Sequence, residues 1–175
     1  MQKTNPLEVL KFCPKCSSAK FRKSGERSLK CEACGFHFFI NSAAAVAALV
    51  GDGKGKLMLV TRGIEPNYGK LDLPGGFVDP GETAENAVQR ELFEELGMKI
   101  KSLDYVSSAA NEYIFSEYSV FTTDLAFKVI PVTVSGLKPM DDILDFKFYT
   151  EEEINYAEIP APSIKKFVKD FFKNE

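Results

Sequence analysis

The chain has 175 residues, 45% of them hydrophobic and 27% charged, enough to bury one ordinary core with a small appendage and too apolar for a disordered tail. Its 22 basic and 25 acidic side chains leave a net charge of −3, which excludes a molecule whose overall field attracts nucleic acid or anionic membrane. The balance is uneven along the chain, because residues 1–40 carry 8 basic and 3 acidic side chains and residues 41–175 carry 14 and 22.

No apolar run approaches the roughly 18–20 residues that cross a bilayer, the longest being Ala43–Val50, so no membrane partner is expected. The segment up to Phe12 lacks an apolar stretch and a small-residue cleavage site, and a cytoplasmic location is the default expectation. All four cysteines fall between positions 13 and 34. Cys13-Pro-Lys-Cys16 and Cys31-Glu-Ala-Cys34 form two knuckles with 14 residues between them, a spacing that brings four thiolates onto one structural zinc ion. Four thiolates close the tetrahedron and leave no place for a catalytic water. Two disulfides are the alternative, favoured only in an oxidising compartment.

Between the knuckles, Lys20–Lys30 reads as a short hairpin, and Gly35 gives the second knuckle its backbone freedom. A module this small has little core, so metal coordination is expected to provide most of its folding free energy. His37, the single histidine, reads as packed or solvent-facing rather than as a further ligand. The arrangement resembles a zinc ribbon over residues 1–40. Its local excess of five positive charges (8 minus 3) permits nucleic-acid contact; docking to protein, including formation of a homodimer, is the alternative.

From Asn41 to the C-terminus at residue 175 the chain alternates strand-like and helix-like stretches. Ala43–Val50 and Lys56–Arg62, separated by Gly51-Asp52-Gly53-Lys54-Gly55, predict a hairpin of two paired strands. After Pro74-Gly75-Gly76 comes a helix predicted over Ala84–Leu96, capped by Thr83 and stopped by Gly97. Strands are predicted near 103–107, 113–115, 118–121 and 125–134, and a second helix over 162–172, with Ile164, Phe167, Val168, Phe171 and Phe172 at helical spacing.

The first helix carries the chemistry. At about 100° per residue, Glu91, Glu94 and Glu95 share one arc of about 100°. Val88, Leu92, Phe93 and Leu96 fall on the other side, where they can pack on a sheet. Like charges at i, i+3 and i+4 repel, and a hard dication, magnesium or manganese, relieves that repulsion. A solvated acidic face is the alternative.

The surrounding residues run Gly76-Phe-Val-Asp-Pro-Gly-Glu82, seven residues, then Arg90-Glu91-Leu92-Phe-Glu94-Glu95-Leu-Gly97-Met98. This stretch resembles the signature of the Nudix hydrolase family, Gly-x5-Glu-x7-Arg-Glu-U-x-Glu-Glu-x-Gly-U with U aliphatic, at every fixed position. The resemblance implies an α/β fold, an α/β/α sandwich with a mixed sheet over residues 41–175. It further implies magnesium held by Glu91, Glu94 and Glu95, with Glu82 as ligand or support and the Gly75 carbonyl as a contributor. Arg90 would orient a glutamate by a charge-assisted hydrogen bond. The activity implied is magnesium-dependent hydrolysis of the pyrophosphate bond in a nucleoside diphosphate linked to another group: a nucleotide sugar, ADP-ribose or a dinucleotide such as NADH. Asp142, in Asp141-Asp-Ile-Leu-Asp-Phe-Lys-Phe148, is similar to an acidic residue that precedes a Trp-containing strand in the family, with Asp for Glu and Phe for Trp.

A zinc ribbon ahead of such a domain is similar to the NADH pyrophosphatase branch. That branch carries Ser-Gln-Pro-Trp-Pro-Phe-Pro-x-Ser after its box, where this chain has no tryptophan and reads Ser107-Ser-Ala-Ala-Asn-Glu-Tyr-Ile-Phe-Ser116. Tyr113 and Phe115, with Tyr118, are candidates to stack on a base or sugar, or are half-buried strand residues. Two further functions are weighed: a nucleotide sensor that does not cleave, and an RNA cap hydrolase whose basic ribbon holds the strand.

Overall fold

The computed structural model describes residues 3–173, which divide into two compact units. The first comprises the described residues up to Ser42 together with Glu112–Phe121, and the second Ala43–Asn111 with residues from Thr122 onward.

In the first unit a one-turn helix, α1 (Pro6–Val9), is capped by Asn5, whose side-chain oxygen accepts the Leu7 N–H. Three short strands follow: β1 (Phe21–Lys23), β2 (Ser28–Cys31) and β3 (His37–Phe39). They form one antiparallel sheet in the order β1-β2-β3, so the hairpin between the knuckles is present. Its small core is Leu7, Cys13, Phe21, Leu29 and Cys31. Residues 112–121 add a hairpin tip, turned at Ser116 and Glu117, both at positive φ. There the Ser119 N–H donates to the Thr4 carbonyl at 2.8 Å.

The second unit contains β4 (Ala43–Val50), β5 (Leu57–Arg62), β6 (Leu71–Asp72), α2 (Ala84–Leu96), most of β7 (Ile100–Phe115) and β8 (Tyr118–Pro131), β9 (Ile143–Tyr149) and α3 (Pro162–Lys173). Its strands make two sheets, β4-β8-β7 and β6-β5-β9. β4 runs parallel to β8 from Ala43↔Thr122 to Val50↔Val129, and β5 is antiparallel to both β6 and β9. The expected β4–β5 hairpin does not form; a single bridge, Gly51↔Leu57, joins their ends. Six residues, 51–56, let the chain cross between sheets, and both strands are apolar on both faces, so neither needs the other to hide one side.

The period-2 pattern of a strand assigns alternate side chains to two cores. Val46, Ala48 and Val50 of β4 and Met58 and Val60 of β5 pack with Val88, Leu92 and Leu96 of α2. Ala47, Leu49, Leu57 and Leu59 pack with Ile164, Phe167, Val168 and Phe171 of α3. Each of the larger of these side chains contributes about 1.5–3 kcal/mol by burial, and the result is helix, sheet, helix in layers. The four short strands expected after residue 100 are in fact two long ones, β7 and β8, because their polar residues lie on exposed faces rather than in turns. No described helix is long and apolar enough to cross a membrane.

Candidate active site and thiol cluster

Both ends of α2 are fixed by local chemistry. The Thr83 hydroxyl accepts the Asn86 N–H at 3.3 Å, and Gly97, at φ 65°, ends the helix in the left-handed region. Val88, Leu92 and Leu96 turn inward. Phe93, expected on that face, is 56% exposed; at about 200° from Glu91 it lies just beyond the strip that the sheet covers.

The loop Pro74-Gly75-Gly76 is strapped to β4: Ala48 N–H donates to the Pro74 carbonyl and Val46 N–H to the Gly76 carbonyl, each at 2.8 Å. Gly75 has φ 140°, and a Cβ there would fall 2.2 Å from the Val46 carbonyl oxygen. Its N–H points away from β4 and donates to Glu95 Oε2 at 3.0 Å. A Cβ on Gly76 would stand 2.5 Å from Glu91 Oε1. The loop therefore meets two of the three helix carboxylates, Glu95 through the Gly75 N–H and Glu91 at Gly76, while the Val46 main chain is what excludes a side chain at Gly75.

Arg90 organises the acids around it. Its Nε and Nη2 grip the two oxygens of Glu82 at 3.0 and 2.9 Å, while Nη1 donates to Glu91 Oε1 at 2.8 Å and to Glu94 Oε2 at 3.1 Å. Nη2 also donates to the Phe77 carbonyl at 3.0 Å. Glu82 receives the Asp79 N–H as well, and the Arg90 hydrogen bonds, then that N–H, hold its carboxyl below the usual range. The same contacts, led by Glu82, raise the guanidinium.

Glu91 and Glu95 behave oppositely. Burial pushes Glu91 up, against the pull of Arg90, and the charges of Glu94 and Asp141 add to the rise. Glu95 is only 7% exposed. Burial raises it to about 9; the Gly75 N–H opposes this, and Glu91, Asp72 and Asp141 reinforce it. Glu94, at the outer edge, has its side chain 46% exposed. Two partly desolvated carboxyl groups on a rigid face, one of which opposes ionisation of the other, are an all-oxygen donor set that a hard dication such as magnesium or manganese would suit.

Two acids that sequence reasoning passed over belong to this electrostatic neighbourhood. Asp72 is paired with Arg62 at 3.0 Å, and burial raises its carboxyl; its signal was its place two residues before Pro74. Asp141, at φ 50°, follows Met140, whose N–H donates to the Glu95 carbonyl at 2.8 Å. Asp142 is exposed, and its main-chain carbonyl accepts the Gly63 N–H at 2.6 Å. Tyr113 and Phe115 stand nearly parallel on β7, with centroids 6.4 Å apart at 9°. They belong to the hairpin tip of the first unit, and the carboxylates to the second.

In the first unit the sulfurs of Cys13, Cys16, Cys31 and Cys34 all lie within 4.8 Å of one another. Cys13–Cys34 and Cys16–Cys31 are 3.7 and 3.6 Å apart, and all four are free thiols. The two knuckles are built alike: Ser17 N–H donates to the Cys13 carbonyl and Gly35 N–H to the Cys31 carbonyl, with Ser17 and Gly35 both at positive φ. Burial opposes ionisation of Cys31, yet the N–H groups of Cys34 and Ala33 outweigh it and bring that thiol down to about 7. Four convergent sulfurs with no fifth group fit a closed zinc site. His37 lies outside it, its Nε2 3.1 Å from the Ser28 hydroxyl.

Comparison with known proteins agrees with this layout. The NUDIX domain family matches residues 41–171. A NAD-capped RNA hydrolase NudC of Haemophilus influenzae is 34% identical over 120 residues, covering 67% of this chain and 45% of that protein. One from Mannheimia succiniciproducens is 28% identical over 154 residues, 85% of this chain and 55% of that protein. The chain thus spans about half the length of the curated relatives it matches. The crystal structure of a NUDIX hydrolase from Nitrosomonas europaea superposes with a TM-score of 0.69 at 22% identity, covering 95% of this chain and 92% of that one. With its signature carboxylates gathered around Arg90 and its sandwich matched over nearly its whole length, this chain belongs to the Nudix family.

Proposed function

We propose that the second unit hydrolyses, with magnesium or manganese, the pyrophosphate bond of a nucleoside diphosphate joined to a second group. The observation that carries this reading is the Glu91–Glu95 pair, desolvated against Gly75 and Gly76, with the charge of Glu91 opposing ionisation of Glu95. Glu91, Glu94 and Glu95 would hold the metal, with the Gly75 carbonyl beside them. When bound, the dication neutralises phosphate oxygens and acidifies water, which is what an anhydride between anionic phosphates requires.

The chain's own residues do the positioning. Arg90 fixes the carboxylates of Glu91 and Glu94, and Glu82 fixes Arg90. The Gly75 N–H fixes Glu95. Outside the helix, Asp142 is an exposed carboxylate that neither Arg90 nor the metal would occupy, and it would take a proton from attacking water. The substrate class is a nucleotide sugar, ADP-ribose or a dinucleotide such as NADH; the relatives' names add NAD-capped RNA, which has the same anhydride. Zinc in the first unit is structural in this reading.

The test is a panel of these substrates and nucleoside triphosphates incubated with magnesium, products identified by mass, with Glu94→Gln as control. Nucleoside monophosphate products are expected, and turnover at least about 100-fold lower in the variant with folding intact. Tight binding of a nucleotide without any turnover would instead make the chain a sensor.

A further inference from the structure

The register of the ribbon sheet assembles a row of side chains that hydrolysis does not use. Arg22 on β1 is the direct partner of Lys30 on β2, and Lys30 of His37 on β3. All three are exposed, whereas Phe21, Leu29 and Cys31, on the other face, form the core. Directly opposed like charges destabilise a strand pair, yet here two cations sit across from each other. Among the described residues no carboxylate pairs with either.

Arg22 is also held in place: its Nη1 donates to the Ala19 carbonyl at 2.6 Å, leaving Nε and Nη2 for an anion. Arg22, Lys30, Lys23 and Ser24 line an open hollow of about 390 Å³, which Cys31 and Gly35 of the second knuckle and the acid Glu32 complete. Beside the row, Phe39 is 47% exposed and lies against the His37 ring, centroids 4.3 Å apart. Paired cations in a hollow next to an outward-facing aromatic pair offer both things a single nucleic-acid strand presents, phosphate charge and a base to stack. A flat lipid surface needs neither the hollow nor the ring pair.

We propose that this face of the ribbon sheet binds single-stranded nucleic acid, with Arg22 and Lys30 on the phosphodiester backbone and Phe39, backed by His37, under a base. The competing explanation of the cations is that they offset the charge of four zinc-bound thiolates, and it makes a different prediction.

The experiment uses the full zinc-loaded chain, without magnesium and without turnover, so its outcome is separate from that of the hydrolysis reading. Fluorescence anisotropy of a labelled RNA of about 15 nucleotides, and of DNA of the same sequence, is followed as salt is raised from about 50 to 200 mM. Binding should weaken steeply with salt. The double variant Arg22→Gln, Lys30→Gln should flatten the slope of log affinity against log salt by about 1.4, and Phe39→Ala should weaken binding by about 5- to 150-fold, with zinc content unchanged in both. Equal binding of RNA and DNA supports the same site, and RNA preference adds contact with the 2′-hydroxyl. No binding of either strand by the wild-type chain, unchanged affinity in both variants, or loss of zinc from the double variant would overturn the proposal.

Discussion

Glu95 of α2 takes, among the described residues, one side-chain hydrogen bond, from the main-chain N–H of Gly75 at 3.0 Å, while burial drives its carboxyl up to about 9. One amide donor does not balance removal from water plus the charges of Glu91, Asp72 and Asp141. The metal-free site is thus tensioned electrostatically, and that tension is measurable.

In the absence of metal the folded chain holds the Glu95 proton up to about pH 9, and the unfolded chain releases it near its ordinary value of 4.5. Between those limits the folded state binds more protons, so stability falls as pH rises, by at most about 1.4 kcal/mol per unit. Urea unfolding of metal-free protein at about pH 5 and about pH 8 should show the decline, and Glu95→Gln should abolish most of it. Magnesium, which needs the ionised carboxylate, should stabilise the wild-type chain more as pH rises and the variant hardly at all. Equal slopes in both proteins would show that Glu95 is not the strained group.

The two adjacent glycines should fail in different ways. In Gly75→Ala the new Cβ meets the Val46 main chain at 2.2 Å on a φ of 140°, and backbone cannot give way cheaply. A loss of about 2–4 kcal/mol is expected, seen in urea titration. In Gly76→Ala the clash is with the movable end of Glu91 at 2.5 Å, so stability should change by less than about 1 kcal/mol while turnover drops about 10- to 100-fold as the carboxylate is displaced. Equal stabilities for the two variants would contradict this division.

How much of this was legible in the sequence depends on how local each cause is. The caps at Thr83 and Gly97 and the core stripe Val88, Leu92, Leu96 follow from neighbours along one helix. The convergence of Cys13, Cys16, Cys31 and Cys34 follows from two turns of fixed geometry. Strand partnership is not local. Ala43–Val50 pairs with Thr122–Val129, and nothing in either segment names the other. Asp72 and Asp141 bear on Glu95 only because β6 and the loop before β9 return to α2. The exposure of Phe93 depends on where the sheet ends, which periodicity does not report.

Arg90 joins Glu82, Glu91 and Glu94 through four hydrogen bonds of 2.8–3.1 Å, a pattern that needs the planar fork of a guanidinium. Arg90→Lys keeps the charge and loses the two-point grip on Glu82. The magnesium concentration for half-maximal activity should rise about 10- to 100-fold, with most of the turnover regained at saturating metal. A surface cation would leave that concentration unchanged, so a magnesium titration of the variant decides between the two roles.

Removing zinc should act on one unit and spare the other. The first unit's buried core is five residues, two of them the thiols Cys13 and Cys31, each 1% exposed, so the sulfurs proposed to hold the metal are also much of the interior. Without the ion, four sulfurs within 4.8 Å of one another repel once ionised, and the N–H groups of Cys34 and Ala33 bring Cys31 down to about 7 against its burial. Leu7, Phe21 and Leu29, with the partly buried Leu10, Phe36, Phe38 and Ile40 around them, are too small a core to offset the chain entropy of three short strands. The second unit has two cores of its own, around α2 and α3. Hydrogen exchange after treatment with a strong zinc chelator in reducing buffer should therefore show loss of protection at residues 21–39, with residues 46–50 and 57–60 unchanged. Cys31→Ser should reproduce the pattern and lower bound zinc from one ion per chain toward none. Persistent protection of Ser28–Cys31 in fully zinc-free protein would mean that the ribbon folds on its apolar contacts alone.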